Sequence, residues 1–197
     1  MGSFRPICDV WILARSKQKY YGSYPAGFLH RARALLGVGY HDPILHVCSG
    51  AIRQYPYRGL GPNDKLLDLN PLVKPDFLQD ARKPFPRPHI VTGFHRSEWG
   101  AVLIDRPYTD EDADKYIPWG LGGGRKVLPT ANELVKNGIE VVPVGGCVGI
   151  LDYLWPGAPK TGRKGAMKDR AKEVAVIAVG TGRNSRARWL TVWERLV

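Results

Sequence analysis

The sequence predicts an α/β fold: a mostly parallel sheet with helices on both faces and an antiparallel strand at or near one edge. Two observations carry this. Short apolar runs alternate with amphipathic segments along the chain, the pattern of a covered parallel sheet. The last two runs, "KEVAVIAVGT" (172–181) and "RWLTVWERL" (188–196), are separated by too few residues for a helical crossover and must pair as an antiparallel hairpin. At 197 residues, 44% of them hydrophobic, the chain can bury the core of one domain, 1–197.

The elements follow in order. "ICDVWILA" (7–14) reads as a strand. A loop rich in Tyr, Gly and Lys leads to "AGFLHRARALL" (26–36). There Phe28, Leu29, Ala32, Leu35 and Leu36 recur at helical spacing, and Gly37 and Gly39 end the helix. "PILHVCSGA" (43–51) is a buried strand running into a Ser-Gly turn, and "DKLLDLNP" (64–71) is a strand ending in Asp68 and Asn70. "PDFLQDARKPFP" (75–86) holds a short segment closed by Pro84 and Pro86. "GAVLIDRPY" (100–108) is the clearest buried strand, and the acids of 110–117 resemble a helix start. "TANELVKNG" (130–138) carries a capping box, with Thr130 as N-cap and Glu133 three residues on, and Gly138 reads as its C-cap. A strand around Gly-Gly lies in 139–154.

Several function classes are disfavoured. No run reaches 18 apolar residues, so no membrane span is expected. Cys8, Cys48 and Cys147 are scattered, which argues against a disulfide framework or a metal centre and for a reduced cytoplasmic setting. The glycine-rich "GLGGGR" (120–125) does not follow a strand, and no Gly-Lys-Ser/Thr is present, which disfavours NAD and ATP. It reads as a hinged lid or a connector. The net charge of +11 is uneven: residues 160–197 hold ten Lys/Arg and three acids, or +7 of it. Such a patch suits a polyanion, most often nucleic acid. Lys160, Arg163, Lys164 and Lys168 are the candidate phosphate contacts, with a solvated basic loop as the plainer reading.

Ligands of an open parallel sheet bind beyond the carboxyl ends of its strands. Each of those ends offers a polar group here. Gly50 lets a backbone approach a ligand, and Asp68 can accept both hydroxyls of a ribose. Asp80 with the amide of Ala81 can grip an adenine edge, and Asp105 ends the fourth run. Singly, each acid serves equally well as a turn cap. In series they fit a cofactor that carries a nucleoside. Beyond Asp105, the carbonyl of Arg106 offers a second acceptor for an exocyclic amine, Pro107 stiffens the turn, and Tyr108 supplies a stacking face.

The blocks "LHVCSGA", "DLN", "PDFLQDARKPF", "AVLIDRPYTDEDADKY", "ELVKNG…VVPVGG" and "ARWLTVWER" come in the order found in S-adenosylmethionine (SAM)-dependent methyltransferases. "DRPY" is similar to the Asp-Pro-Pro-Tyr motif of amino-methyltransferases acting on adenine or cytosine in DNA, and "YYGSYPAGFL" resembles their N-terminal SAM-binding element. The resemblance implies a Rossmann-like, seven-stranded sheet with a terminal hairpin. It divides the chain into an N-terminal strand and SAM-covering helix (1–40) and a core sheet (41–197). It implies that Cys48, Ser49 and Gly50 line the methionine part of SAM, that Asp68 and Leu69 meet the ribose, and that Asp80 and Ala81 meet the adenine. It further implies that Tyr24, Pro25 and Phe28 cover the cofactor and that Asp105, Arg106, Pro107 and Tyr108 face the target base.

Two positions depart from the family pattern. Arg106 replaces the first proline of the motif, and the turn after Gly50 lacks a second glycine. Three readings follow. The leading one is methyl transfer to a base amine, with adenine in DNA favoured over RNA. The second is an inactive methyltransferase-like subunit that binds nucleic acid or an active partner, in a homodimer or with a partner subunit. The third is a methyltransferase of RNA, protein or a small molecule. No membrane partner is expected.

Overall fold

The computed structural model describes residues 6–15, 24–55, 57–88, 97–107, 128–153, 169–181 and 187–197. Eight strands and two α-helices make up its regular elements: β1 (Ile7–Ile12), α1 (Phe28–Leu35), β2 (Ile44–Val47), β3 (Lys65–Asp68), β4 (Phe77–Leu78), β5 (Ala101–Asp105), α2 (Ala131–Ile139), β6 (Cys147–Asp152), β7 (Ala171–Gly180) and β8 (Arg188–Arg195). The expected acidic helix start at 110–117 and the glycine-rich 120–125 lie outside the described residues.

All strands join one sheet in the order β1-β7-β8-β6-β5-β2-β3-β4. Every pairing is parallel except those of β8, which runs antiparallel to both β6 and β7. The hairpin expected from the short connection is therefore present. The resemblance counts seven strands; β1 adds an eighth, outside the hairpin, pairing with β7 from Ile7↔Ala175 to Ile12↔Gly180.

The central strands explain themselves. β2 is buried throughout and apolar but for His46, and β5 is buried and apolar up to Asp105, as parallel strands under helices must be. On one face α1 turns Phe28, Leu29 and Ala32 inward against Ile44, Leu66 and Leu103. Burying Phe28 and Leu29 contributes about 1.5–3 kcal/mol each. On the other face Leu134, Val135 and Ile139 of α2 pack on Val102, Val148 and Ile150.

Helix ends follow local chemistry. The Thr130–Glu133 capping box is formed in both directions, at 3.2 and 2.8 Å. Gly37, just past α1, has φ 72°, a left-handed stop. Gly138 is not the cap of α2, which runs on to Ile139 and caps at Glu140. Gly138 instead faces the sheet, where a Cβ would lie 2.8 Å from Val148 Cγ1. Its role is close packing of helix on strand.

A buried ionic cluster fixes the amino-terminal side of the sheet. Asp64, just before β3, accepts from Arg33 Nη2 on both carboxylate oxygens, from His46 Nε2 at 3.1 Å, and from the amides of Ile44 and Gly61. Burial opposes ionisation of Asp64, but the hydrogen bonds from His46 and Arg33 win, and its carboxyl is held below the ordinary range. Loop 57–64, helix α1 and strand β2 are thereby locked at the end opposite the candidate site.

Candidate active site

The strand order reverses direction between β2 and β5: β3 and β4 lie on one side of β2, and β5, β6 and the hairpin on the other. The carboxyl ends of β2 and β5 flank this switch point, where open α/β sheets bind ligands. Val47 aligns with Ile104, so Cys48 and Asp105 are the next residues on adjacent strands.

The turn after β2 is tied across to β3. Cys48 N donates to Leu67 O at 2.9 Å, and Gly50 N donates to Asp68 Oδ2 at 2.8 Å. Asp68 Oδ1 accepts from Asn70 N, and Asp68 O accepts from Gln79 N, so the ends of β2, β3 and β4 form one hydrogen-bonded rim. Two residues of the turn take left-handed backbone: Gly50 at φ 54° and Cys48 at φ 55°. A Cβ on Gly50 would point into open space, so a ligand can approach its backbone directly. Ser49 Oγ is buried and has no hydrogen-bond partner among the described residues.

The electrostatics of this turn are acidic. Burial pushes the Cys48 thiol far above its ordinary value, and Asp68, Asp105 and Asp80 push it the same way, while Arg106 opposes them. Carboxylates from three strand ends are thus near enough to act on one sulfur. Asp68 is itself raised, chiefly by burial, against the hydrogen bonds from Asn70, Gly50 and Leu69.

The remaining sequence-predicted residues are placed as follows. Asp80 receives a fork from Arg82: Nε reaches both carboxylate oxygens at 3.0 and 2.9 Å, Nη2 reaches Oδ2, and the Arg82 amide adds a third donor. The Arg82 hydrogen bond is the main reason its carboxyl is held low. Ala81 is buried, and Leu69 is exposed beside the rim. Tyr24 and Phe28 are buried and stacked, with ring centroids 4.9 Å apart, and Pro25 is buried with them. They are core residues of the α1 face. Asp105, Arg106 and Pro107 leave the end of β5. Tyr108, Lys160, Arg163, Lys164 and Lys168 lie outside the described residues.

Two contributors escape the sequence reading. Asn137 on α2 donates Nδ2 towards the carbonyls of Ala81, Arg82 and Lys83, at 3.3, 3.4 and 3.0 Å, and so holds the loop beyond β4. Nothing local marks an Asn in the last turn of a helix for that task. Asp152, at the end of β6, accepts Arg106 Nε at 3.0 Å and Nη2 at 2.9 Å on one oxygen. Its signal was present: it is an acid closing an apolar run, "GILD", like Asp68 and Asp105.

The fit of this rim to SAM can be judged from its own groups. An acidic field suits a ligand with a sulfonium and an ammonium, and it opposes a phosphate. The unpartnered Ser49 Oγ and the open backbone at Gly50 leave a polar, approachable floor. The residues present fit the group.

The sequence matches no family model and no curated protein. Solved structures share its fold. A candidate SAM-dependent methyltransferase from Streptococcus mutans superposes with a TM-score of 0.53 at 11% identity, over 87% of this chain and 50% of that one. A candidate class I S-adenosylmethionine-dependent methyltransferase from Listeria monocytogenes gives 0.51 at 14% identity, over 86% of this chain and 58% of that one. TrmN from Thermus thermophilus gives 0.49 at 16% identity, over 89% and 50%. The chain spans half to three-fifths of the length of these proteins. The likeness is one of fold: a mostly parallel, Rossmann-like methyltransferase sheet with antiparallel carboxyl-terminal strands.

Proposed function

We propose that the protein is a SAM-dependent methyltransferase acting on the exocyclic amine of a nucleic-acid base, with adenine in DNA the favoured target. The observation that carries this is the turn at the switch point, where Asp68 holds the Gly50 amide at 2.8 Å and the β2–β5 register sets Asp105 beside Cys48. A cationic cofactor is stabilised by the acidic field of that turn, and a dinucleotide or nucleoside triphosphate is not.

When bound, SAM supplies an electrophilic methyl carbon on a sulfonium, and transfer leaves a neutral thioether. Asp68 holds the turn through Gly50 and presents acceptor oxygens to a ribose. Asp80 and the neighbouring amide of Ala81 would meet the adenine edge, with Arg82 sharing the carboxylate. Asp105 and the Arg106 carbonyl accept the two amine protons of the target base. That contact would keep the nitrogen lone pair aimed at the methyl carbon; as the N–C bond forms and the C–S bond breaks, the surplus amine proton would pass to the Asp105 carboxylate and on to solvent. Positioning of this kind supplies most of the rate. Tyr108 would stack on the flipped base. Lys160, Arg163, Lys164 and Lys168 would neutralise phosphates.

The test is direct. Incubation with methyl-labelled SAM and separate pools of DNA, RNA and protein should place the label in DNA, on adenine. Asp105→Ala should lower transfer by about 100-fold or more while SAM affinity by calorimetry stays within a few-fold. Unchanged turnover in that variant would sink the assignment. Label in RNA or protein would keep the methyl transfer and replace the substrate. Affinity for DNA should fall steeply with salt.

A further inference from the structure

The motif's missing proline has a structural replacement. Proline fixes φ of its own residue, and Arg106 does not. Yet the Arg106 side chain is held on three sides. Nε and Nη2 converge on Asp152 Oδ2 at 3.0 and 2.9 Å. Nη1 donates to Pro107 O at 3.3 Å and Pro129 O at 3.4 Å. The side chains of Arg106 and Asp152 are 11% and 1% exposed, so the pair is buried. It joins three elements: the end of β5, the end of β6, and the residue before the Thr130 cap of α2. The register places it well, because Asp105 pairs with Leu151, directly before Arg106 and Asp152.

We propose that Asp152 is a positioning residue for Asp105, acting through Arg106. The inference rests on the methyl-transfer reading above. A buried ion pair adds little net stability over an apolar pair of similar volume. What this one adds is geometry: a planar fork, fixed at both nitrogens, that sets the course of the chain between Asp105 and Pro107. The Arg106 guanidinium is thereby engaged within the protein. Its backbone carbonyl is left to face the amine.

Three variants test this. Asp152→Asn should lower kcat for DNA methylation by about 10- to 100-fold, as a misplaced reacting group does, with KM for SAM nearly unchanged. Arg106→Lys, which keeps the charge without the fork, should also lose kcat. The double variant Arg106→Pro with Asp152→Leu restores the motif's proline and removes both charges, and it should regain most of the lost kcat. A folded Asp152→Asn variant with wild-type kcat overturns the proposal, as does a double variant no better than Asp152→Asn. A second readout does not depend on activity. The Nε–H of Arg106, followed by NMR on guanidinium-labelled protein, should exchange slowly in the wild type and fast in Asp152→Asn. Fast exchange in the wild type removes the clamp. Failure of the wild type to methylate any acceptor, with slow exchange intact, removes the methyl-transfer reading instead.

Discussion

The Gly50 amide donates to Asp68 Oδ2 at 2.8 Å, joining the turn after β2 to the end of β3. Asp68 Oδ2 thus shapes the turn while its Oδ1 accepts from the Asn70 amide, and the lone pairs left over are the ones a ligand can use. Asp68→Ala should weaken SAM binding by about 10- to 100-fold, the value of a charge-assisted hydrogen bond. Calorimetry measures it. The pH dependence has a definite sign. Burial raises the Asp68 carboxyl, so on acidification it protonates earlier than an ordinary aspartate. A neutral carboxyl loses its acceptor strength, and SAM affinity should start to fall above the usual aspartate range near pH 4.

Asn137 controls the other wall. Its amide donates towards three successive carbonyls of the 81–83 loop. Asn137→Ala frees that loop, and with it Asp80. SAM affinity should drop by about 3- to 10-fold, in keeping with the net value of a neutral hydrogen bond. Turnover at saturating SAM should hold. A variant that loses kcat but keeps its affinity would contradict this placement.

Asp64 bears on stability and leaves the chemistry alone. It is buried with Arg33 and His46, far from the switch-point turn in the direction of the strands. Asp64→Asn leaves Arg33 buried without its counter-charge and should lose about 3–5 kcal/mol at pH 7, read from urea unfolding. The folded carboxyl sits below its unfolded value of about 3.9. Its stabilisation is therefore complete above about pH 4 and is lost as pH falls through the lower folded value. The variant's stability should depend on pH less steeply than the wild type's in that acidic range.

Gly138 tests helix-on-sheet packing. A Cβ there would lie 2.8 and 3.0 Å from the two γ-methyls of Val148. Alanine gains about 1 kcal/mol of helix propensity, but overpacking costs about 1–3 kcal/mol. Gly138→Ala should lower the melting temperature, and pairing it with Val148→Ala should recover part of the loss.

Local patterns made much of this legible. The four apolar residues before Asp105 could only be a buried strand, and the short link between β7 and β8 could only be a hairpin. The Thr130–Glu133 pair forms the capping box its spacing announces. What stayed hidden depends on partners distant in sequence. Gly138 resembles a helix stop, and only the nearness of Val148 reveals it as a packing glycine. Arg106 stood out as an unexplained cation because its partner, Asp152, lies 46 residues away. The place of β1 beside β7 follows from pairing, and no periodicity within residues 7–14 encodes it.

That last pairing shapes how the chain must assemble. β1 emerges early, yet the strand it joins is completed only at Gly180. The pairing of "ICDVWI" with β7 joins segments more than 160 residues apart in the chain. Contacts between such remote segments make folding slow, and waiting strand edges invite aggregation. Asp9 offers a local safeguard: its carboxylate accepts from the Val10 amide at 2.7 Å and from the Trp11 indole at 3.1 Å. An aspartate that occupies a strand's own donors blunts the edge against a neighbouring chain.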